Sequence, residues 1–338
     1  MESFGIFWAF LLILISGVLN GSAAAPLKYA KHSEWENLWF VQSVVAMLFL
    51  PWVLAWATIS QPIVVFRNSG VPALAAAGGF GFGWGLGTLL YIIGVVRVGM
   101  SVSFAIILSL TATLGSLLPL IVQHPQDLGS WRGRLLIASL AITVVGIGLC
   151  ALAGAARTQR EPSSAPEQAV RHFWQGIIVC VLSGIFSPML NFAFAFGEPI
   201  TAAARRMGTS PMWAANGLWA IALSAAFGLN AVYCLWRLGL STSCSRFLDA
   251  PWENLIAGSM MGLLFFMSVI MYGIGADRLG SWGTSAGWAI YMCATVFIAN
   301  LWGIATGEWR NAPKKSYVFL GAGLLAITVA ILLASRAS

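Results

Sequence analysis

Residues 134–154 read RLLIASLAITVVGIGLCALAG, a single charge followed by about 20 residues with none. At 1.5 Å per residue, a helix of about 20 residues crosses about 30 Å, the thickness of a bilayer's hydrocarbon core. A helix satisfies every backbone polar group internally, which lipid demands and an open sheet cannot supply. Similar apolar runs lie near residues 5–25, 38–60, 72–95, 100–122, 173–195, 212–236, 253–275, 283–306 and 316–335. Strands of about 10 alternating residues, the mark of a membrane barrel, are absent. The expected fold class is an all-α integral membrane protein with ten transmembrane helices.

Composition points the same way. The chain is 59% hydrophobic and 9% charged, with a mean hydropathy of +0.84, whereas a soluble domain carries roughly 25% charged residues. The net charge of +7 comes from basic residues set singly or in pairs between apolar runs. That pattern anchors helix ends and offers no clustered face for nucleic acid. Cys150, Cys180, Cys234, Cys244 and Cys293 have no metal spacing and read as small core residues rather than a disulfide framework. Residues 4–25 have a cleavage-like Ala23-Ala24-Ala25, but no basic residue precedes the apolar run. They are read as the first span, not a signal peptide.

The halves of the chain look related. Tyr91-x-x-Gly94-x-x-Arg97-x-Gly99 closes the third span, and Tyr272-x-x-Gly275-x-x-Arg278-x-Gly280 closes the eighth, at a constant offset of 181. Ser16-Gly17-Val18-Leu19 in the first span matches Ser183-Gly184-Ile185-Phe186 in the sixth. The plain account of each Gly-x-x-Arg-x-Gly segment is a helix end with a snorkelling cation, yet both matches fall on corresponding spans. Residues 1–154 are therefore expected to form one five-helix repeat and 173–338 a second, joined by a linker at 155–172. An odd number of spans per half makes such repeats inverted, an architecture of transporters. Loops after odd-numbered spans hold eleven Lys and Arg, the remaining loops and termini seven, which places both termini outside.

No catalytic constellation is present. His32, His124 and His172 lie in connections, and neither a metalloprotease, nucleophile-elbow nor phosphate-loop pattern occurs. The glycines of 78–87 sit inside an apolar run, where they let helices approach closely. Polar stripes are more informative. Trp84, Thr88 and Tyr91 share one helix face, as do Ser109, Thr113 and Ser116; Ser16 and Asn20; Ser187 and Asn191; and Trp288, Tyr291 and Thr295. Each alone reads as interhelical hydrogen bonding, but together they suggest a cavity of hydroxyls and amides with aromatic walls, suited to a neutral polyol. Asn20, Trp84, Tyr91, Asn191, Trp288 and Tyr291 are the expected substrate-binding residues. Acids occur only at span ends, among them Glu34, Glu36, Glu198, Asp277 and Glu308. Glu36 and Glu308 have tryptophan neighbours, where desolvation would raise a carboxyl pKa.

The chain resembles the L-rhamnose–proton symporter family of the drug/metabolite transporter superfamily. The resemblance rests on Gly5-Ile6-Phe7-Trp8, Pro26-Leu27-Lys28, Trp35-Glu36-x-x-Trp39, Leu50-Pro51-Trp52, Trp84-Gly85-x-Gly87, Gly99-Met100-Ser101, Gly184-Ile185-Phe186-Ser187 and Glu308-Trp309. It implies ten spans as two inverted five-helix repeats in the bacterial inner membrane. It also implies uptake of a 6-deoxyhexose such as L-rhamnose driven by a proton gradient, with no cofactor or metal, and Glu36, then Glu308, as the proton-coupling residues. Two segments depart from the family pattern: Glu198-Pro199 replaces a Lys-Pro, and Trp282-Gly283-Thr284-Ser285 lacks an acid. The departures leave open a facilitative or other-ion-coupled carrier of another small polar metabolite. A membrane-embedded enzyme would need a polar catalytic pair at interface depth, and a channel a charged ring or filter.

Overall fold

A computed structural model describes residues 2–30, 32–33, 35–157, 167–240 and 250–337. Glu34, Cys244 and residues 158–166 of the expected linker lie outside them. Every regular element among the described residues is helical. The ten spans are span 1 (Gly5–Lys28), span 2 (Trp35–Thr58), span 3 (Val71–Val98), span 4 (Val102–Gln123), span 5 (Trp131–Arg157), span 6 (Phe173–Arg206), span 7 (Pro211–Arg237), span 8 (Pro251–Arg278), span 9 (Gly280–Ala305) and span 10 (Lys314–Ala337). Ten crossings return the chain to the face it left. We call that the terminal face, and the other the opposite face.

Two corrections concern the ends of span 6. Its first helix begins at Glu167, so the expected linker 155–172 is helical at both ends. Its last segment is the helix Glu198–Arg206, so the run does not stop near residue 195. Between them the span breaks twice, at Ser187 and Pro188 and again at Gly197, leaving Met189–Phe196 as a short helix at mid-depth. Spans 2 and 9 each contain a π-helical turn, at Val44–Phe49 and Gly283–Gly287. Such turns interrupt the regular i to i−4 ladder.

The helices of spans 3 and 4, Val71–Val98 and Met100–Gln123, are joined through one residue, Gly99, at φ 84°, and spans 8 and 9 meet at Gly280, at φ 61°. Only glycine adopts that backbone without a Cβ penalty. The repeated Tyr-x-x-Gly-x-x-Arg-x-Gly segment thus ends on a corner glycine in both places.

Span 1 packs against spans 8 and 9, and span 6 against spans 3 and 4. Span 3 lies on span 7, span 8 on span 2, and span 5 on span 10. Lipid is as apolar as leucine, so close backbone approach through small residues drives these contacts. A Cβ at Gly94 would stand 2.7 Å from Cys180 Sγ, and one at Gly275 would stand 2.7 Å from Ile13 Cγ1. Gly94→Ala should therefore lower stability by about 1–3 kcal/mol through overpacking. The check is a lower melting temperature in detergent, restored when Cys180→Gly is added. Exposed Trp56, Trp131, Trp174, Trp236 and Trp252 mark the two interfacial belts.

Candidate functional site

The broken middle of span 6 turns Asn191 into the centre of the bundle, where it has no solvent exposure. Its Nδ2 donates to the carbonyl of Gly115 in span 4 at 2.8 Å and to that of Thr284 in span 9 at 2.8 Å. Its Oδ1 accepts from the Tyr272 hydroxyl of span 8. One amide therefore ties four spans together. Thr284 belongs to the π turn of span 9, where the helical ladder is interrupted. Gly115 is glycine for a local reason: a Cβ there would meet Trp288 Nε1 at 2.1 Å. Trp288 instead seats fully and donates to the Thr111 carbonyl at 3.0 Å.

Tyr272, Trp288 and Tyr291 form an aromatic triangle with centroids 5.1–5.4 Å apart. Ser268 donates to the Tyr291 hydroxyl at 3.3 Å. Phe194 lies 6.1 Å from Tyr272 and stacks on Trp219 at 5.4 Å with planes 4° apart. No charged side chain enters this cluster among the described residues. The hydroxyls of Ser116 and Ser285, neighbours of Gly115 and Thr284, are buried and have no protein hydrogen-bond partner.

Above Phe194 and Trp219 a vestibule of about 340 Å³ opens toward the terminal face. Gln123, Glu198, Arg205, Asp277, Ser281 and Thr284 supply its polar walls. Arg205 and Asp277 pair across it.

The opposite face is clamped. Glu308 takes hydrogen bonds from Lys28 on one oxygen and from Arg157 on the other, the latter at 2.8 Å. Arg157 also lies over the Trp309 ring at 5.0 Å. Buried Glu36 accepts from Arg237 at 3.0 Å, and His32 meets Glu253 at 3.1 Å. Burial pushes the Glu308 carboxyl up, but hydrogen bonds and charge from Lys28 and Arg157 outweigh it and hold the carboxyl below its ordinary value. The tryptophan neighbour suggested the reverse.

Of the residues expected from sequence, Asn191, Trp288 and Tyr291 come together. Asn20 is one step away: it donates to Thr295 Oγ1 at 3.3 Å, and Thr295 donates to the Tyr291 carbonyl. Trp84 stacks on Phe265 at 5.4 Å, in a neighbouring core cluster that Phe194 joins to the triangle. Tyr91 stacks on Phe104 at 5.7 Å, apart from the rest. The sequence reading missed Tyr272, Phe194 and Trp219. Tyr272 carried a signal, as the counterpart of Tyr91 in the repeated segment; the other two look like ordinary apolar filling. No cluster of metal-ligating side chains occurs among the described residues.

The model of the L-rhamnose-proton symport protein family (RhaT) matches residues 2–336. The chain belongs to this family. It is 26% identical over 334 residues to the L-rhamnose-proton symporter of Klebsiella pneumoniae strain 342, covering 96% of this chain and 95% of that one. The symporters of Enterobacter sp. strain 638 and Escherichia coli O17:K52:H18 are 26% and 25% identical over the same coverage. The RhaT family is one of transporters, so the chain is a multi-pass membrane carrier and not an enzyme.

Proposed function

We propose that the protein carries L-rhamnose, or a similar neutral 6-deoxyhexose, together with a proton by alternating access in a bacterial inner membrane. The observation that carries this reading is the charge-free cluster of Asn191, Tyr272, Trp288 and Tyr291 at mid-depth. Aromatic faces suit the C–H faces of a sugar, amide and hydroxyl groups suit its hydroxyls, and nothing there rewards an ion. The unpartnered hydroxyls of Ser116 and Ser285 add unused hydrogen-bonding capacity beside it. Family membership and the names of the relatives support the sugar and the proton. Asn20 and Trp84 border this site, and Tyr91 belongs to it in another conformation. Glu36 and Glu308 are the coupling acids.

Inverted repeats at 1–154 and 173–338, as in the drug/metabolite transporter superfamily, give the alternation its mechanical basis. Gly94 meets Cys180 and its counterpart Gly275 meets Ile13. Cys180 and Ile13 are 167 residues apart, the same offset that relates Ser183-Gly184 to Ser16-Gly17. Equivalent glycines thus meet equivalent positions, which supports the symmetry. With both termini outside, the vestibule faces outward.

Proteoliposome uptake of a panel of radiolabelled sugars tests the reading, run with an external pH electrode. The expected result is saturable uptake, strongest for L-rhamnose, with alkalinisation on sugar addition. Uptake without alkalinisation or pH dependence would replace symport by facilitated diffusion or coupling to another ion. Absence of sugar uptake would overturn the reading.

A further inference from the structure

The two copies of the Tyr-x-x-Gly-x-x-Arg-x-Gly segment share the residues that make the corner and differ at one telling place. Before the arginine, the first copy has Val96, which is exposed, and the second has Asp277. The corner at Gly99 forms without an acid, so Asp277 is not there for the turn. It pairs with Arg205, in the last turn of Glu198–Arg206. Both side chains are about two-fifths exposed, and so open a pair adds little stability. Its position offers a better explanation, since both partners line the vestibule.

Each amide of the vestibule already spends one of its two donor hydrogens, whereas Arg205 spends one of five on Asp277. Gln123 Nε2 donates to the Ala195 carbonyl at 2.6 Å, and Asn216 Nδ2 to Thr58 Oγ1 at 2.8 Å. The guanidinium of Arg205 is thus the main donor on these walls, and the Asp277 carboxylate a strong acceptor beside it. Below lie the stacked rings of Phe194 and Trp219. A donor and an acceptor side by side over an aromatic floor match vicinal hydroxyls and the C–H face of one monosaccharide. Glu198 is the third charged lining group and has no cation of its own among the lining residues. It leaves the vestibule net negative, which disfavours anionic sugars.

We propose that the vestibule is an outer binding site for a neutral monosaccharide, bordering the mid-depth cluster through Thr284 and Phe194, where Asp277, Arg205 and exposed Ser281 hold the sugar's hydroxyls above Phe194 and Trp219 before the bundle admits it. This rests on the neutral-sugar reading given above. The test measures initial rates of L-rhamnose uptake by the full chain in proteoliposomes for wild type, Asp277→Asn, Asp277→Glu and Ser281→Ala. Each rate is normalised to inserted protein, with melting temperature recorded. Loss of a hydrogen bond to a charged group should raise the half-saturation concentration of Asp277→Asn roughly tenfold or more, at unchanged maximal rate. Asp277→Glu should recover part of it. Exposed Ser281→Ala, which leaves the ion pair intact, should raise it roughly threefold. A hexuronate should fail to compete in wild type and compete in Glu198→Lys. If the pair is only a staple, Asp277→Asn melts lower at wild-type half-saturation, and the outer site is overturned while transport stands. Wild-type half-saturation in Ser281→Ala would overturn the outer site as well. A wild type that takes up no sugar removes both readings together.

Discussion

Asn191→Ala is expected to reduce sugar uptake roughly 20-fold or more and to lower the melting temperature of the purified protein. The substitution removes both donors and the acceptor of the amide that joins spans 4, 6, 8 and 9. The carbonyl of Gly115 and the hydroxyl of Tyr272 then lose that partner far from water, and the carbonyl of Thr284 loses it at the floor of the vestibule. A buried polar group left unpaired costs about 1–3 kcal/mol in a soluble protein. Within a bilayer the measured average per interhelical bond is nearer 0.6 kcal/mol, because the unfolded state also finds partners. Three bonds on one side chain at that average come to about 1.8 kcal/mol, roughly a factor of 20, and the soluble-protein range would carry the loss past about 100. Tyr272→Phe separates these contributions, since it deletes one bond and keeps the aromatic triangle. Its uptake should fall roughly threefold, with a smaller change in melting temperature. Initial rates in proteoliposomes, corrected for inserted protein, decide the matter. Should Asn191→Ala transport within about threefold of wild type, the mid-depth cluster is neither the binding site nor the element that switches.

The spans were legible because lipid imposes one rule on the whole chain. A run such as 134–154 has no alternative to a helix once it is buried in hydrocarbon, and span 5 matches it closely. The breaks in span 6 were harder. Pro188 and the Gly197-Glu198-Pro199 sequence both mark them, yet the apolar residues around Met189–Phe196 hide them from any reading by hydropathy. Of the residues picked from the sequence, Asn191, Trp288 and Tyr291 do lie together, and they stood out because a polar or amphipathic residue inside a span has few reasons to be there. Tyr91 and Tyr272 open the same Tyr-x-x-Gly-x-x-Arg-x-Gly pattern, and only the tertiary arrangement decides which one meets Asn191. Phe194 and Trp219 carry no polar signature. Their role comes from position between two core clusters. Glu308 illustrates the remaining limit. Trp309 is adjacent in sequence and argues for desolvation, whereas the cations that decide its charge come from Lys28 and Arg157, remote in the chain.

At the opposite face, Glu308→Gln is expected to open the clamp and to uncouple transport. In this conformation the carboxyl is held below its ordinary value. Its contribution is therefore complete above the usual carboxylate range, near pH 4.3, and is lost only as pH falls through the lowered value. Mild acid on the clamp side, about pH 6, should consequently leave the clamp closed in wild type. Glutamine removes the charge at every pH and leaves Lys28 and Arg157 facing each other. Each partner is 27–38% exposed, so solvent screens the pairs and each is worth about 1 kcal/mol or less. Two pairs on one carboxylate, with the Trp309 contact depending on where Arg157 is held, should shift the closed-to-open ratio on the order of tenfold. Ala23→Cys, introduced with the five native cysteines replaced, reports the change. Residue 23 is buried at the end of span 1, so a polar maleimide, added to the purified protein in detergent where both faces are reached, should label it about tenfold faster in Glu308→Gln. Accumulation against a gradient should disappear in the same variant while sugar exchange across the membrane persists. The proton readout then separates two roles for the carboxylate. If sugar-induced alkalinisation vanishes with exchange intact, Glu308 carries the proton, and it must leave both cations to do so. If labelling rises while alkalinisation per sugar is unchanged, Glu308 only holds the face shut, and buried Glu36, with Arg237 as its single ion-pair partner among the described residues, is the coupling acid. Unchanged labelling would mean that the clamp is an ornament of this conformation and not its lock.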